Sequence, residues 1–366
     1  MLDLYLVLHV KTQQFSINRF YDEKLPINSQ KEVYAGVGEF KLIVIKDSKP
    51  AYDFRETSNG KKFVNTRIFD AKDRYRELTG GGHKIHGTNN LSELKHDIVL
   101  LLGVSLSDFL KIYDNPTQSR QEIVLQQDLP GSNGWQSFEE LFYVLNECVE
   151  YIVLRNSDTL SLDHFKENNG DVDLLVKNRV QCQYILGDLS CIDNDYKVDS
   201  NVSVNNQIIP FEIYEVGENL FDEKYEDYLF INKIKKDTFF CLPPKIELYT
   251  LIYHAILFHK NISNKHLRRI ENNSLCNELL NGASISKENL FLSLLEFFES
   301  IGCTFIAPND DKIFFNSSLA AGRNLALNKK RPNIFKANLR KIFRYQKFSR
   351  FSKISLFFCN TLINIS

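Results

Sequence analysis

The sequence lacks the features of a secreted or membrane-spanning protein. Its seven cysteines are odd in number and form no C-x-x-C pair, which disfavours a disulfide framework or a zinc ribbon and fits a reducing compartment. No run of about 18 or more apolar residues is present to span a bilayer, and no basic segment precedes the first apolar run, as it does in signal peptides. We therefore expect a cytoplasmic protein.

Acidic residues are missing from the end of the chain. Residues 323–366 contain eleven Lys and Arg and no Asp or Glu, whereas the whole chain has a net charge of -1. The remaining body is therefore acidic, and we expect it not to bind nucleic acid. Basic and aromatic residues from 329 to 358 predict an interfacial helix on anionic lipid at the inner face of the membrane. Packing of this segment on the acidic body is the alternative.

Turn-forming residues divide the sequence into segments of different character. The length of 366 residues favours two or three packed units, and residues 128–134 are dense in Pro, Gly, Asn and Ser. Residues 1–128 predict a first α+β unit, with a strand at 40–45 and a helix at Leu91–Leu102. Weak alternation at 62–69 also indicates a strand.

The middle of the chain predicts a second α+β domain at residues 135–242. Ser137 and Glu140 have the spacing of a capping box at the start of a helix. Three apolar runs that follow predict the strands of a small mixed sheet: 151–154, 172–176 and 208–213. Helical periodicity then predicts a helical subdomain at 243–322, followed by a basic helical tail at 323–366.

Acidic residues mark two of these strands. Asp171 and Asp173 share one face of a strand because alternate residues point the same way, and their carboxylates would lie about 6–7 Å apart. Glu212 stands inside the apolar run at 208–213. Repulsion and lost solvation at such a site are relieved by divalent cations, and carboxylate oxygens favour Mg²⁺ or Mn²⁺ over zinc. The three acids therefore predict a site for two Mg²⁺ ions, or Mn²⁺.

A simpler interpretation of the two aspartates stays open from the sequence. Residues 168–170 are Asn-Asn-Gly, a turn signal directly before Asp171. Asp171 and Asp173 could then cap this turn and lie in solvent. In that case they would hold no metal ion.

The motifs around these acids resemble a known superfamily. The sequence at 153–157, 170–176 and 211–213 is similar to the polymerase-β-type nucleotidyltransferases, and especially to nucleotidyltransferase-like proteins of bacterial surface-polysaccharide biosynthesis loci. The resemblance covers roughly residues 140–260. It implies a nucleotidyltransferase-like mixed sheet with a helical subdomain.

The resemblance also implies roles for individual residues. In the superfamily, an acidic-x-acidic strand and a later acid bind two metal ions, and the three acids match these positions. A Gly-Ser turn on a helix holds the nucleotide phosphates, but this chain has Arg155, Asn156 and Ser157 there. Arg155 can bind phosphate through two N–H groups and replace the missing contacts. We therefore predict that these three residues bind the nucleotide.

The implied reaction is magnesium-dependent transfer of a nucleotidyl or phosphoryl group from a nucleoside triphosphate to a sugar phosphate or glycan acceptor. Glu212 would bind metal and accept a proton. Two alternatives stay open. An Asp-x-Asp also serves metal-dependent glycosyltransferases that use a nucleotide sugar, and the absent Gly-Ser favours a noncatalytic nucleotide- or glycan-binding module.

A glycine- and histidine-rich segment at residues 79–90 is the most unusual run in the first unit. Glycines there permit positive φ angles, and their amides can bind an anion. We predict an anion or acceptor pocket formed by Arg55, Gly81, Gly82, His83 and His86. A structural loop is one alternative. A metal site is the other, with the candidate ligands His83, His86, Glu93, His96 and Asp97.

Two further histidines, His254 and His259, lie in the predicted helical subdomain. On one continuous helix, residues five apart point about 140° away from each other. We therefore predict that they are structural or surface residues and do not share a metal ion.

Overall fold

The computed structural model has mixed α and β structure, as the sequence predicts, with mixed sheets. It describes residues 2–11, 16–29, 31, 33, 40–57, 60–113, 122–158, 160–162, 165, 170–187, 199–218, 220–308, 313–320 and 354–359. Contacts divide the chain into two compact units. Unit 1 comprises residues 1–148, 183–192 and 333–366, and unit 2 comprises residues 149–182 and 193–332.

Unit 1 is built on strands whose side chains alternate between the core and the surface. Strand β1 (Leu2–Lys11) pairs antiparallel with β2 (Phe40–Asp47) and parallel with β6 (Glu122–Gln126). Leu42 and Val44 on β2 are fully buried, while Lys41, Ile43 and Ile45 are partly exposed. This alternation buries one face of the sheet. Four shorter elements complete this part of the unit: α1 (Ile17–Tyr21), β3 (Tyr52–Thr57), β4 (Gly60–Asn65) and β5 (Ile85–Gly87).

The helices of unit 1 begin and end at residues with clear capping roles. Helix α2 (Thr66–Leu78) starts where the Asn65 side chain accepts a hydrogen bond from Arg67 N, so the strand predicted at 62–69 ends at this cap. Helix α3 (Leu91–Leu102) has the predicted bounds and ends at Gly103, whose φ of 67° is left-handed. Two more helices belong to this unit: α4 (Leu106–Tyr113) and α5 (Phe138–Cys148).

The division between the units follows helix α5. The sequence places a domain boundary in the turn-rich residues 128–134, whereas contacts divide the chain between Cys148 and Val149. Helix α5 packs against α3 of unit 1, and its buried face includes Leu141 and Leu145. The helix therefore belongs to unit 1.

Unit 2 contains a six-stranded mixed sheet, in the order β11-β12-β7-β8-β10-β9. Its strands are β7 (Tyr151–Val153), β8 (Val172–Val176), β9 (Asp199–Val204), β10 (Gln207–Glu215), β11 (Ile234–Lys236) and β12 (Phe239–Cys241). All five residues of β8 are buried. Strand β8 runs parallel to β10 and antiparallel to β7, which places the acidic residues near the middle of the sheet.

The described helices of unit 2 are α6 (Arg179–Leu186, divided between the units after Cys182), α7 (Glu223–Asn232), α8 (Pro244–Leu257), α9 (Asn264–Glu271), α10 (Cys276–Leu279), α11 (Lys287–Ser300) and α12 (Ser317–Ala320). All of them except α6 share one core with the sheet. Helix α8 packs on α11. The core joins Ile152 and Leu175 of the sheet with Ile252 and Ile256 of α8, so residues 243–320 complete the sheet domain.

The helix predicted for the basic tail is wrong at the end of that segment. Residues 354–359 form strand β13 (Ile354–Cys359), which lies between β2 and β5 and pairs antiparallel with both. This run has no charged residue, and its one isoleucine and two phenylalanines favour a strand. The rest of the predicted interfacial helix, at 329–353, lies outside the described residues. Within the described ranges, no helix has the length and apolar character needed to span a bilayer.

Candidate functional site

The register of two parallel strands brings the predicted acids together. Glu212 on β10 stands directly opposite Asp173 on β8, and Asp171, two residues before Asp173, points to the same face. One carboxylate oxygen from each of the three lies within 4.8 Å of those of the other two. Asp173 is only 1% exposed, so it does not lie in solvent as the simpler turn-capping interpretation requires. We call these three residues the acidic cluster.

Arg155 neutralises part of this cluster. It follows strand β7, whose continuation at Leu154 donates a backbone hydrogen bond to the Asp173 carbonyl at 2.9 Å. The Arg155 guanidinium forms a bidentate pair with the Asp173 carboxylate, and its Nε lies 3.0 Å from Oδ2. Burial lowers the pKa of Arg155, but the contacts with Asp173 outweigh burial and raise the pKa above its ordinary value. Arg155 and Asp173 are therefore a buried ion pair.

The Glu212 carboxylate of the acidic cluster has a raised pKa. Burial raises its pKa to about 7, and repulsion from Asp173 and Asp171 acts in the same direction. A hydrogen bond from the Tyr214 hydroxyl, 2.5 Å from Glu212 Oε2, opposes this rise, as does the charge of Arg155. One guanidinium thus faces three carboxylates, and this excess of negative oxygen ligands fits a divalent cation.

The Arg-Asn-Ser segment at 155–157 contains a residue with a positive φ angle. Asn156 has a φ of 66°, in the left-handed region that Asn tolerates better than most residues. Ser157 then donates two hydrogen bonds to the Glu247 carboxylate, from its amide at 3.0 Å and from its hydroxyl at 2.6 Å. The donors predicted to hold a phosphate therefore hold an internal carboxylate from the first turn of α8.

The environment of Glu247 is consistent with an anion-binding turn. Burial raises the pKa of Glu247, while the hydrogen bonds from Ser157 lower it. Lys236 Nζ also donates to the Ser157 carbonyl at 3.2 Å. Donors and a cation thus surround one carboxylate at this turn. A nucleotide phosphate that bound Ser157 would have to displace Glu247.

The residues predicted to form one anion pocket in unit 1 make separate contacts in the structure. Arg55 on β3 pairs with Asp70, with Nε 3.3 Å from Oδ1. The φ angles of Gly81 and Gly82 are 81° and 76°, the backbone freedom that the sequence predicts. His83 is half-buried, and burial lowers its pKa.

His86 belongs to a buried histidine–aspartate network in unit 1. His86 Nε2 lies 3.0 Å from Asp97 Oδ2, and Asp97 Oδ1 lies 3.0 Å from His96 Nδ1. His96 Nε2 is in turn 3.0 Å from Asp22 Oδ2. Two groups of His, Cys, Asp or Glu converge as candidate metal ligands within the described residues, and neither includes the loop histidines. The contacts of His86 and His96 are those of a structural network.

This network predicts a pH dependence of unit 1 stability. Burial lowers the pKa of His96, but Asp22 and Asp97 outweigh it and raise the pKa to about 10. Because the folded pKa lies above the unfolded value of about 6.5, the stabilisation is complete below that pH and is lost as pH rises through about 10. We expect the free energy of unfolding, measured in urea, to fall more between pH 7 and pH 10 for wild type than for His96→Gln.

Trp135 gives a readout specific to unit 1, because it is the single tryptophan and is buried, with Nε1 donating to the Leu186 carbonyl at 3.1 Å. Its fluorescence follows unfolding of this unit. His83→Gln is the matched control, and its free energy of unfolding should fall between pH 7 and pH 10 by as much as that of wild type. An equal fall for wild type and His96→Gln would contradict a charged His96.

The other converging group contains the two downstream histidines, which were expected to point about 140° apart on one continuous helix. Helix α8 ends at Leu257, so His259 lies beyond the helix and does not follow its rotation of about 100° per residue. His254, His259 and His266, from α9, have ring nitrogens within 4.8 Å of one another. Burial is the first cause that lowers the pKa of each, to about 4 for His266. We call these three the histidine cluster.

Three residues near these sites were not predicted from the sequence. Tyr214 shares a strand face with Glu212, two residues earlier, so strand alternation was a usable signal. Glu247 and His266 reach their partners only through the packing of α8 and α9, and no local pattern indicates those contacts.

A small cavity of about 10 Å³ lies beside the acidic cluster. Arg155 and Tyr214, which contact two of the acids, line it together with His254 and apolar residues such as Leu220 and Phe221. A cavity of this size holds about one water molecule. Comparisons with family models, curated proteins and solved structures found no match to this chain.

Proposed function

We propose that the acidic cluster binds Mg²⁺ or Mn²⁺ and that unit 2 transfers a nucleotidyl or phosphoryl group to a sugar phosphate or glycan precursor. The main support is the convergence of Asp171, Asp173 and Glu212, whose carboxylate oxygens approach within 4.8 Å. Carboxylates at this spacing, together with substrate phosphates, are the ligand set that Mg²⁺ favours. The nucleotidyltransferase-like fold and two bound ions are part of the same proposal and follow from the motif resemblance.

The chain's own residues have distinct roles in this proposal. When bound, a divalent cation would offset phosphate charge and favour deprotonation of an acceptor hydroxyl. Glu212, whose pKa is about 7, can accept the acceptor's proton at its free carboxylate oxygen, and Tyr214 holds the other oxygen. Arg155 uses two of its five N–H donors on Asp173, and the others can bind a phosphate oxygen.

One observation favours a second candidate, a noncatalytic nucleotide- or glycan-binding module. Ser157 gives both its amide and its hydroxyl to Glu247, which leaves these donors engaged by an internal anion. In a transferase, the phosphate must exchange with this carboxylate. In a binding module, no such exchange is required.

Two further parts of the proposal concern substrates and location. We propose that the loop around Gly81, Gly82 and His83 contacts an anionic acceptor. Its glycines adopt left-handed φ angles, which allow backbone amides to approach a ligand. The basic residues at 329–353 would hold the protein at an anionic membrane surface in the cytoplasm.

A ligand panel tests the proposal. Wild-type protein is screened by thermal shift against nucleoside triphosphates and nucleotide sugars, each with and without Mg²⁺. We expect a nucleoside triphosphate to raise the melting temperature only when Mg²⁺ is present, because phosphate and cation bind together. A response to nucleotide sugars alone would favour a glycosyltransferase, and no response to any ligand with Mg²⁺ would contradict the proposal.

A further inference from the structure

The histidine cluster has three ring nitrogens without a hydrogen-bond partner among the described residues. They are His254 Nδ1, His259 Nε2 and His266 Nδ1, and each is buried. Buried polar atoms in proteins are nearly always satisfied. Three unsatisfied imidazole nitrogens in one place therefore point to a ligand that all three bind.

Packing between the rings does not account for this arrangement. The ring centroids lie 4.8 to 5.1 Å apart, with interplanar angles from 52° to 90°. Edge contacts of this kind are favourable between aromatic rings, but they leave the three nitrogens unsatisfied. A carboxylate does not bridge them either, because the converging ligand group contains histidines only. A single acceptor of lone pairs, a metal cation, would satisfy all three.

The ligand type selects the class of metal. Imidazole nitrogen suits zinc, copper, nickel and iron, whereas Mg²⁺ prefers oxygen. Three histidines with one position left over are the ligand set of catalytic zinc sites. Zinc–nitrogen bonds of about 2.0–2.1 Å bring nitrogens closer than 4.8 Å, and rotation of the half-buried rings can supply this closure.

We propose that His254, His259 and His266 form a transition-metal site, with Zn²⁺ as the first candidate, beside the small cavity next to the acidic cluster. The cation would tie the end of α8 to α9. His254 lines this cavity with Arg155 and Tyr214. This site is independent of the Mg²⁺ proposed at the acidic cluster.

Nearby positive charge indicates what would occupy the fourth position. Arg155 acts electrostatically on all three histidines, and Lys265 and Arg269 act on His266. A dication in this setting is favoured when an anionic oxygen, such as hydroxide or a phosphate oxygen, completes its coordination. The surrounding cations would also hold that anion.

Metal titration of the full-length protein tests the site. Chelator-treated wild type is titrated with Zn²⁺ by calorimetry and with Co²⁺ by visible absorption. We expect about one Zn²⁺ per chain, a rise in melting temperature, and a Co²⁺ spectrum typical of four-coordinate nitrogen and oxygen ligands. His259→Ala and His266→Ala should each weaken Zn²⁺ binding by at least about 100-fold.

Matched variants distinguish this site from the others. His83→Ala removes a histidine from unit 1. Glu212→Gln alters the acidic cluster but leaves the Arg155–Asp173 pair in place, and both variants should bind Zn²⁺ like wild type. His266→Cys keeps a ligand atom and should retain binding. Circular dichroism of the metal-free variants checks folding, and if His254→Ala does not fold, His259→Ala and His266→Ala decide the result. Absence of Zn²⁺ binding by wild type, or unchanged binding by both alanine variants, would overturn the proposal.

Discussion

Asp173→Asn is expected to abolish Mg²⁺-dependent nucleotide binding and to lower turnover by about 100- to 1,000-fold or more, the usual cost of losing one group that stabilises transition-state charge. Asp173 lies at the centre of the cluster, opposite Glu212 and paired with Arg155. The asparagine keeps the shape of the side chain but removes its charge. Calorimetric titration with the triphosphate selected by the ligand panel, with and without Mg²⁺, measures the effect.

Asp237→Asn is the matched control for this prediction. Asp237 is exposed, in a turn with a φ of 51° that asparagine also tolerates. The control should therefore bind nucleotide and Mg²⁺ like wild type. Full Mg²⁺-dependent binding and turnover by a folded Asp173→Asn protein would remove the acidic cluster from the proposed chemistry.

Arg155→Ala is expected to destabilise unit 2 by about 3–5 kcal/mol, the usual cost of removing one partner of a buried ion pair. The Asp173 side chain is 1% exposed and that of Arg155 is 9% exposed, so water cannot replace the lost guanidinium. Urea unfolding followed by far-ultraviolet circular dichroism measures the change in the free energy of unfolding.

A divalent cation should partly restore the stability of Arg155→Ala. If the cluster binds divalent ions, Mg²⁺ will stabilise Arg155→Ala more than wild type, because the ion takes over the neutralisation of Asp173. Lys245→Ala is the control in the same unit. Lys245 pairs with Glu278 at 3.6 Å, but both side chains are more than half exposed, so the loss should stay within about 1 kcal/mol. Equal stabilities for the two variants would contradict a buried Arg155–Asp173 pair.

Local sequence patterns predicted the elements that carry the site. Strand β8 has the predicted bounds, and β10 extends the predicted 208–213 run by one residue before it and two after it. Helix α3 begins and ends where its cap residues indicate. Alternation along β8 predicted a shared face for Asp171 and Asp173, and the register that sets Glu212 of β10 opposite Asp173 was observed only in the structure.

Contacts between distant residues could not be predicted in the same way. Ser157 meets Glu247 across 90 positions, and His259 meets His266 because the chain turns between α8 and α9. Asn156 adopts a left-handed backbone angle that its residue type permits but does not require. Strand β13 illustrates the same limit, because its apolar run is compatible with a helix until β2 and β5 provide pairing partners.

Titration with Mn²⁺, followed by electron paramagnetic resonance, tests the central claim most directly, since free and protein-bound Mn²⁺ have different spectra. The variant His266→Ala is included so that binding at the histidine cluster is not counted. The account predicts that wild type and His266→Ala bind Mn²⁺ in competition with Mg²⁺, and that Glu212→Gln binds it at least about 10-fold more weakly. A free-ion spectrum for wild type, with or without a nucleoside triphosphate, would contradict it.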